Sequence, residues 1–437
     1  MIIKEVNKMK RTIALLLSLI IIFVCSGCAQ VNLKAAALAA GPEYPESIAH
    51  DDYETRSAIL KENAVSEDFL RAAADFSYKT ASKAISQSEG NVCFSPISLY
   101  FALSLAASGA GGETGSELLE LLGAGDRDVL TENSAKLYRL LYSRNELSTL
   151  LTANSVWMAD ELNGQKIKYK NDFLENAVAD FYASLYSADF SSRDTADEMS
   201  KWVAENTGGL IEPVFEPDAD LVMSIINAIY YKDGWADKFE STKTAPAVFH
   251  ADNGDRTVDF MNKTAMGEYA EGGEWTRASL KMRSGGEMIF ILPSENSSVG
   301  ELVSSPGKLA EVLGGGEAKT GEIVWKIPKF DCASSFDLVP TLRDLGISDA
   351  FDENTADFSD ITDDVKLFVS AIKQETFITI DEEGVEAAAY TKVDMATTGM
   401  IIPEKRIEMT LDRPFIYCVT AQNGMPLFTG VCVDFEG

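Results

Sequence analysis

The strongest constraint on this 437-residue chain lies near its C-terminus, where two strand-like stretches follow one another with only a short acidic turn between them. The first, Leu367 to Ile380, is rich in β-branched and aromatic residues and reads as a strand. Beyond Asp381, Glu382, Glu383 and Gly384 the chain continues at period two. Val385, Ala387, Ala389, Thr391, Val393 and Met395 share one face, and Glu386, Ala388, Tyr390, Lys392 and Asp394 share the other. The first face is small and buryable, as a strand requires. The run Ala387 to Ala389 also has high helix propensity, so a short helix starting at the Gly384 hinge fits equally well. A segment with two credible conformations is what the rest of the chain has to explain.

Upstream, helical patterns come first and strands later. Ser66 is placed to cap a helix in which Phe69, Leu70, Ala73, Phe76 and Ala81 recur at helical spacing. Pro96 opens a second helix, rich in Ala, Ser and Gly, of the kind that packs closely on other backbone. The glycines Gly109, Gly111 and Gly112 follow a helix and precede no lysine, which argues against a phosphate loop. Further helices are expected at 116–122, 134–143 and 194–206, the last ending at Gly208-Gly209. Strands are expected at 152–158, 221–231, 288–292, 323–330 and 367–380, with a C-terminal hairpin of 415–420 and 427–433. This order lacks the regular alternation of a doubly wound sheet and indicates an α+β fold.

Composition narrows the function. With 68 acidic against 38 basic side chains the formal charge is −30, or about −33 without residues 1–27, so nucleic acid and other polyanions are not expected partners. Cys93, Cys332, Cys418 and Cys432 have no metal-like spacing and read as buried thiols. The Asn423-Gly424 turn sets Cys418 opposite Thr429 rather than Cys432. His50 and His250 are the only histidines, which leaves a histidine-dependent hydrolase or a two-histidine metal site poorly supported, and no cofactor is expected.

The N-terminus reads as an export signal: Lys8, Lys10 and Arg11 precede an apolar run from Ile13 to Val24, too short for a full membrane span. It closes in Cys25-Ser26-Gly27-Cys28, which resembles a bacterial lipobox with Cys25 where Leu is usual, so residues 1–27 are expected to be a signal peptide and Cys28 the lipidated residue. An ordinary signal peptide cut nearby is the alternative. Residues 28–65 read as a flexible tether and 66–437 as the folded domain.

Taken in order, the segments of residues 66–435 resemble the serpin family. Asn91 to Thr114 is similar to the family's "N-x-F-S-P-x-S…A-L…G-A-x-G-x-T" segment. Further matches are Ala153 to Trp157; Trp202 with Thr207-Gly208-Gly209; Asn227 to Trp235 with Phe239; Pro328-Lys329-Phe330; Leu345-Gly346-Ile347; and Arg413-Pro414-Phe415. Glu382, Glu383, Gly384, Val385, Glu386, Ala387, Ala388 and Ala389 are similar to the hinge of inhibitory members.

The resemblance implies about nine helices and three β-sheets with an exposed reactive loop at about 384–410. It implies a monomeric protease inhibitor, not an enzyme, that acts as a suicide substrate. The target's own serine forms an acyl-enzyme on the loop, and the cleaved loop then inserts into the central sheet. The family's usual spacing of 16 residues from Glu382 places the cleaved bond at Thr398-Gly399, with Met395 or Met400 as alternatives. A small residue there suits an elastase-like or subtilisin-like serine protease, with a cysteine protease as a further option. The lipid-anchored inhibitor would stand at the bacterial surface or outside the cell. A non-inhibitory binding or chaperone-like member is the alternative function. Two departures bear on insertion: Val385 stands where Thr is common, and Gln374-Glu375 where the family often has His-Lys.

Overall fold

The computed structural model describes residues 35–49, 51–385 and 405–435. The leader 1–27, Cys28 and His50 therefore lie outside the described residues. Among the described residues are ten α-helices and three sheets.

The helices form where the sequence caps them. After α1 (Tyr53–Glu62), α2 (Glu67–Ser86) begins at Ser66, whose hydroxyl accepts from Phe69 N at 3.2 Å, and it buries Ala73, Phe76, Ala81 and Ile85. Next comes α3 (Pro96–Ser108), with Pro96 in its first turn and every residue but the last buried. A helix apolar on all sides has no solvent face to turn outward, so it runs through the core. At its end Gly109 is required by space, because a Cβ there would lie 2.5 Å from Ile361 Cγ1. Then follow α4 (Gly112–Leu122) and α5 (Arg127–Leu141). The latter starts well before residue 134, since the Asp126 carboxylate caps the N–H groups of Asp128 and Val129 at 3.0 Å each.

The eight-stranded main sheet contains β1 (Ala35–Ala37), β2 (Ser148–Ala159), β3 (Ala183–Ala188), β4 (Met223–Gly234), β5 (Phe330–Asp337), β6 (Ala371–Ile380) and β7 (Gly384–Val385). Across the sheet the order is β1-β3-β2-β4-β7-β6-β5, and a short strand, Ser143–Arg144, pairs with β2. Both faces are covered. Along β4, Ile225 and Ile229 join the main core while Ile226 and Ala228 join a second cluster with Trp157 and Trp202. Two buried faces explain why β4 reads as continuously apolar rather than alternating. The nine-stranded sheet runs from Arg406–Thr410 through Lys319–Pro328, Gly254–Glu271, Trp275–Lys281, Glu287–Pro293, Phe415–Thr420 and Pro426–Cys432 to Val92–Phe94, with Ala245–Ala251 paired to Gly254–Glu271. The third is the ribbon Glu161–Leu162 with Gln165–Lys166.

Three expectations are revised. The apolar run 323–330 is two strands in different sheets, Lys319–Pro328 and β5. Its buried positions are odd-numbered through Ile327 and even-numbered from Phe330, as they must be when a chain leaves one sheet and presents its other face to the next. The run 367–380 is ladder only from Ala371. Val369 and Ser370 are held by Ala350 O and Met223 O at 2.9 Å each. Within 28–65, read as a flexible tether, the chain is folded from Ala35. β1 pairs with β3, Tyr44 stacks on Tyr142 and Tyr182 at 6.0 and 6.2 Å, and α1 is capped by Asp52. Three alanines in a row suit a strand laid along a sheet edge, but they carry no periodic signal.

The four cysteines Cys93, Cys332, Cys418 and Cys432 are buried free thiols, and Cys418 lies opposite Thr429 in the C-terminal hairpin.

Candidate functional site

The first residues of the expected hinge lie at the head of the main sheet. Strands β4 and β6 are parallel and pair directly from Ser224 with Ala371 to Ala228 with Glu375. Above that point β7 lies between them. Gly384 and Val385 pair antiparallel with Gly234 and Asp233 of β4, and Val385 also pairs with Ile380 of β6. The sheet is thus closed below and split above, and Val385, 1% exposed, occupies the split.

The turn that brings the chain back is fixed by backbone groups. Asp381 Oδ1 accepts from Glu383 N at 2.8 Å and Gly384 N at 3.2 Å, and Asp381 N donates to Gly384 O at 3.1 Å. Trp235 and Phe239 hold all three carbonyls of the turn. The Trp235 indole N–H donates to Asp381 O at 2.8 Å, Trp235 N to Glu383 O at 2.9 Å, and Phe239 N to Glu382 O at 3.1 Å. Gly384 has φ +151°, and a Cβ there would sit 2.2 Å from Asp233 O, so only glycine fits against β4.

Charges secure the same turn. Glu382 accepts from Lys329 at 2.8 Å and from the Thr244 hydroxyl at 2.7 Å. Partial burial alone would raise its pKa, but these two donors outweigh that and hold it below the usual carboxylate range. Glu383 pairs with Lys238. Opposite Val385, Asp233 is fully buried. Its Oδ2 accepts from the Tyr231 hydroxyl at 3.1 Å and Ser284 N at 3.3 Å. Burial dominates here and pushes this carboxyl up to about 6.

Lower down, the line along which β4 and β6 meet crosses the start of α3. Asn227 and Gln374 face each other in register on the two strands. The Gln374 side chain accepts from Ser95 N at 3.0 Å and donates to Ser95 O at 2.9 Å. Asn227 Nδ2 donates to Ser98 O at 3.2 Å and Asn154 Oδ1 at 2.6 Å, and the Ser98 hydroxyl donates to Asn227 Oδ1. Each of the two strands is therefore pinned by an amide to the same helical turn. Glu375 is buried and accepts from the Ser335 hydroxyl at 2.7 Å, and burial raises its pKa against that bond and Lys373.

Ser95 and Ser98 serve structure rather than nucleophilic attack, since the Ser95 hydroxyl donates to Leu427 O at 2.7 Å and that of Ser98 to Asn227. The exposed His250 contacts Asp255 at 2.8 Å. The Serpin (serine protease inhibitor) family model matches residues 71–435. This chain is a serpin. Serpin-ZX of Arabidopsis thaliana is 30% identical over 366 residues, which span 79% of this serpin and 92% of the relative. The thermophilic serpin Tengpin in its native state superposes with a TM-score of 0.78 at 27% identity, covering 92% of this serpin and 100% of that chain. A thyroxine-binding globulin complex with thyroxine superposes at a TM-score of 0.72, covering 83% of this serpin and 98% of that chain. Its 23% identity marks a likeness of fold alone. Serpins are generally protease inhibitors rather than catalytic enzymes.

Of the expected hinge, Glu382, Glu383, Gly384 and Val385 come together at the head of the sheet as described. Glu386, Ala387, Ala388, Ala389, Tyr390, Met395, Thr398, Gly399 and Met400 lie outside the described residues, as does Cys28. No role for Asp381, Lys238 or Thr244 is legible in the sequence, and Asp233 is marked only as part of the matched run Asn227 to Trp235. Trp235, Phe239 and Lys329 carried only family resemblance, because their work at the hinge depends on contacts across more than 50 residues of chain.

Proposed function

We propose that this serpin is a suicide-substrate inhibitor of serine proteases. The observation that carries the reading is the seat of Gly384 and Val385 between β4 and β6: the strand that would insert has its first rung in place while the sheet below is still closed. The fold by itself does not select inhibition, since a thyroxine-binding protein shares it.

In this reading the target serine attacks the carbonyl of Thr398, the Thr398-Gly399 bond breaks, and the acyl-enzyme ester ties the protease to the N-terminal part of the loop. That part then extends the β7 ladder downward, and five parallel residue pairs between β4 and β6 give way to two antiparallel ladders. The net gain is about 1 kcal/mol for each added backbone hydrogen bond. The protease is carried along and distorted before water can release it. Thr398 directs the inhibitor to shallow primary pockets, elastase-like or subtilisin-like, with a cysteine protease as the second choice. Lipidated Cys28 would hold the monomer at a bacterial surface, where exported proteases act.

Incubation with pancreatic elastase and with subtilisin, followed by a denaturing gel, tests the reading. A covalent complex and a released peptide beginning at Gly399 are expected. Stoichiometric cleavage by every protease that cuts the loop, with no complex from any of them, would refute it.

A further inference from the structure

The strand registers mark the two ends of the main sheet. At its head Asp233 pairs with Ser148 on one side and with Val385 on the other. At its foot Ala35 pairs with Ala188, Ala188 with Ala159, Met158 with Met223, and Ser224 with Ala371. From Met223 up to Asp233, β4 climbs about 33 Å. Because β1 starts at Ala35 and runs antiparallel to β3, the chain enters the fold at the foot. Cys28 stands seven residues earlier, and a chain of that length spans about 25 Å at most. An acyl chain on Cys28 would therefore tie the foot to within about 25 Å of a bilayer and leave the head free to stand about 33 Å farther out. The 68 acidic against 38 basic side chains favour that posture over an anionic bilayer, since a molecule lying on its side brings more of its negative surface within the screening length of about 8 Å.

The same registers set where insertion would end. Val385 lies opposite Asp233, and continuing that pairing down β4 brings Met395 opposite Met223 and Thr398 opposite Asp220, just past the foot. The acyl bond at Thr398 would thus arrive at the end of the sheet from which the anchor leaves. Between the inserted strand and β1 lie β4, β2 and β3, so the two points are about 19 Å apart across the sheet. A protease domain of about 250 residues is about 45 Å wide, more than twice that separation and well beyond the reach of the tether. It does not fit between an upright inhibitor and the bilayer. The inhibitor has to tip, and the protease then lies beside it on the lipid.

We propose that this serpin offers its loop to soluble proteases on the side facing away from an anionic lipid bilayer, and that trapping carries the protease down onto that bilayer, because the anchor and the end of the protease's travel share the foot of one sheet. The inference rests on the inhibitory reading and on the acylation of Cys28 proposed above.

Residues 28–437, coupled through Cys28 to a maleimide lipid in vesicles of phosphatidylcholine and phosphatidylglycerol, supply the test, since the other four cysteines of that chain are buried. Energy transfer from a dye on subtilisin to acceptor lipids reads the height of the protease above the bilayer. Subtilisin whose catalytic serine is changed to alanine, docked on the uncut loop, should show little transfer. Active subtilisin, once a denaturing gel shows its covalent complex, should show at least threefold more. Equal transfer in the docked and covalent complexes overturns the inference while the gel leaves the inhibitor reading standing, whereas a gel without any complex refutes that reading and the inference with it. Mass analysis of protein recovered from bacterial membranes tests the anchor separately. An acylated Cys28 at the N-terminus is expected, and an unmodified Cys28 overturns the part assigned to the bilayer.

Discussion

Replacing Asp233 by Asn removes a charge that the head of the sheet accommodates poorly, and the size of the effect follows from its burial. The carboxyl moves from an ordinary 3.8 to about 6 because folding strips it of water. A raised acid pKa means that the charged form is the disfavoured one in the folded protein. The cost is absent below 3.8, grows through the interval and is complete above about 6. At 1.36 kcal/mol per tenfold change in proton affinity it amounts to about 3 kcal/mol at pH 7.5, about 1.6 at pH 5 and about 0.5 at pH 4. An Asn side-chain oxygen can keep the bonds from Tyr231 and Ser284. The other oxygen, Oδ1, has no partner among the described residues, so an amide placed there displaces no donor. Asp233→Asn should therefore be more stable than the parent at pH 7.5, with the gap closing toward pH 4. Urea midpoints of the two uncut proteins at the three pH values measure it. A gap that does not change with pH, or a less stable variant at pH 7.5, would refute the reasoning.

Val385→Arg places a charge in the split, which costs several kcal/mol if unpaired. The variant should be cut as a substrate without forming a covalent complex on a denaturing gel. Gln374→Ala leaves Ser95 N and O without their side-chain partner in a fully buried site, and should lower stability by about 2–4 kcal/mol in urea titration. It should also speed spontaneous loop insertion, seen as heat-resistant, inactive protein that accumulates on incubation. Lys329→Gln breaks a partly exposed pair with Glu382 and should cost about 1 kcal/mol, diminishing in high salt. Because Glu382 is held below its ordinary 4.5 in the folded state, its contribution is fully present above that pH and is lost only as pH falls below it through the lowered value.

The sequence disclosed those parts of the fold that rest on local chemistry. Ser66 and Pro96 announced their helices, and Gly384 announced a turn against neighbouring backbone, because a cap, a fixed φ and a missing Cβ act within a few residues. The crossing at Lys329 was legible only as a change in the parity of buried residues, which a continuous apolar run conceals. The docked segment from Ala35 was hidden because a strand of alanines at a sheet edge owes its place to the surface it meets, not to its own pattern. Asp233 carried no signal of its own beyond the match of Asn227 to Trp235. Its burial arises from β7 and the Ser284 turn, which are remote in sequence.

The seat of Val385 also bears on timing and fidelity. Growth of an ordered strand is slow chiefly at its first step, when several residues must be fixed before any bond rewards them. In the proposed inhibitory mechanism that step would precede the cut, so the released segment would have only to zip. It also starts in a set register. A slip of one residue would turn Glu386, Ala388, Tyr390 and Lys392 inward in place of Ala387, Ala389 and Thr391. In that mechanism two residues docked in advance would act as the first tooth of a zip fastener, which decides both how soon the row closes and which teeth meet.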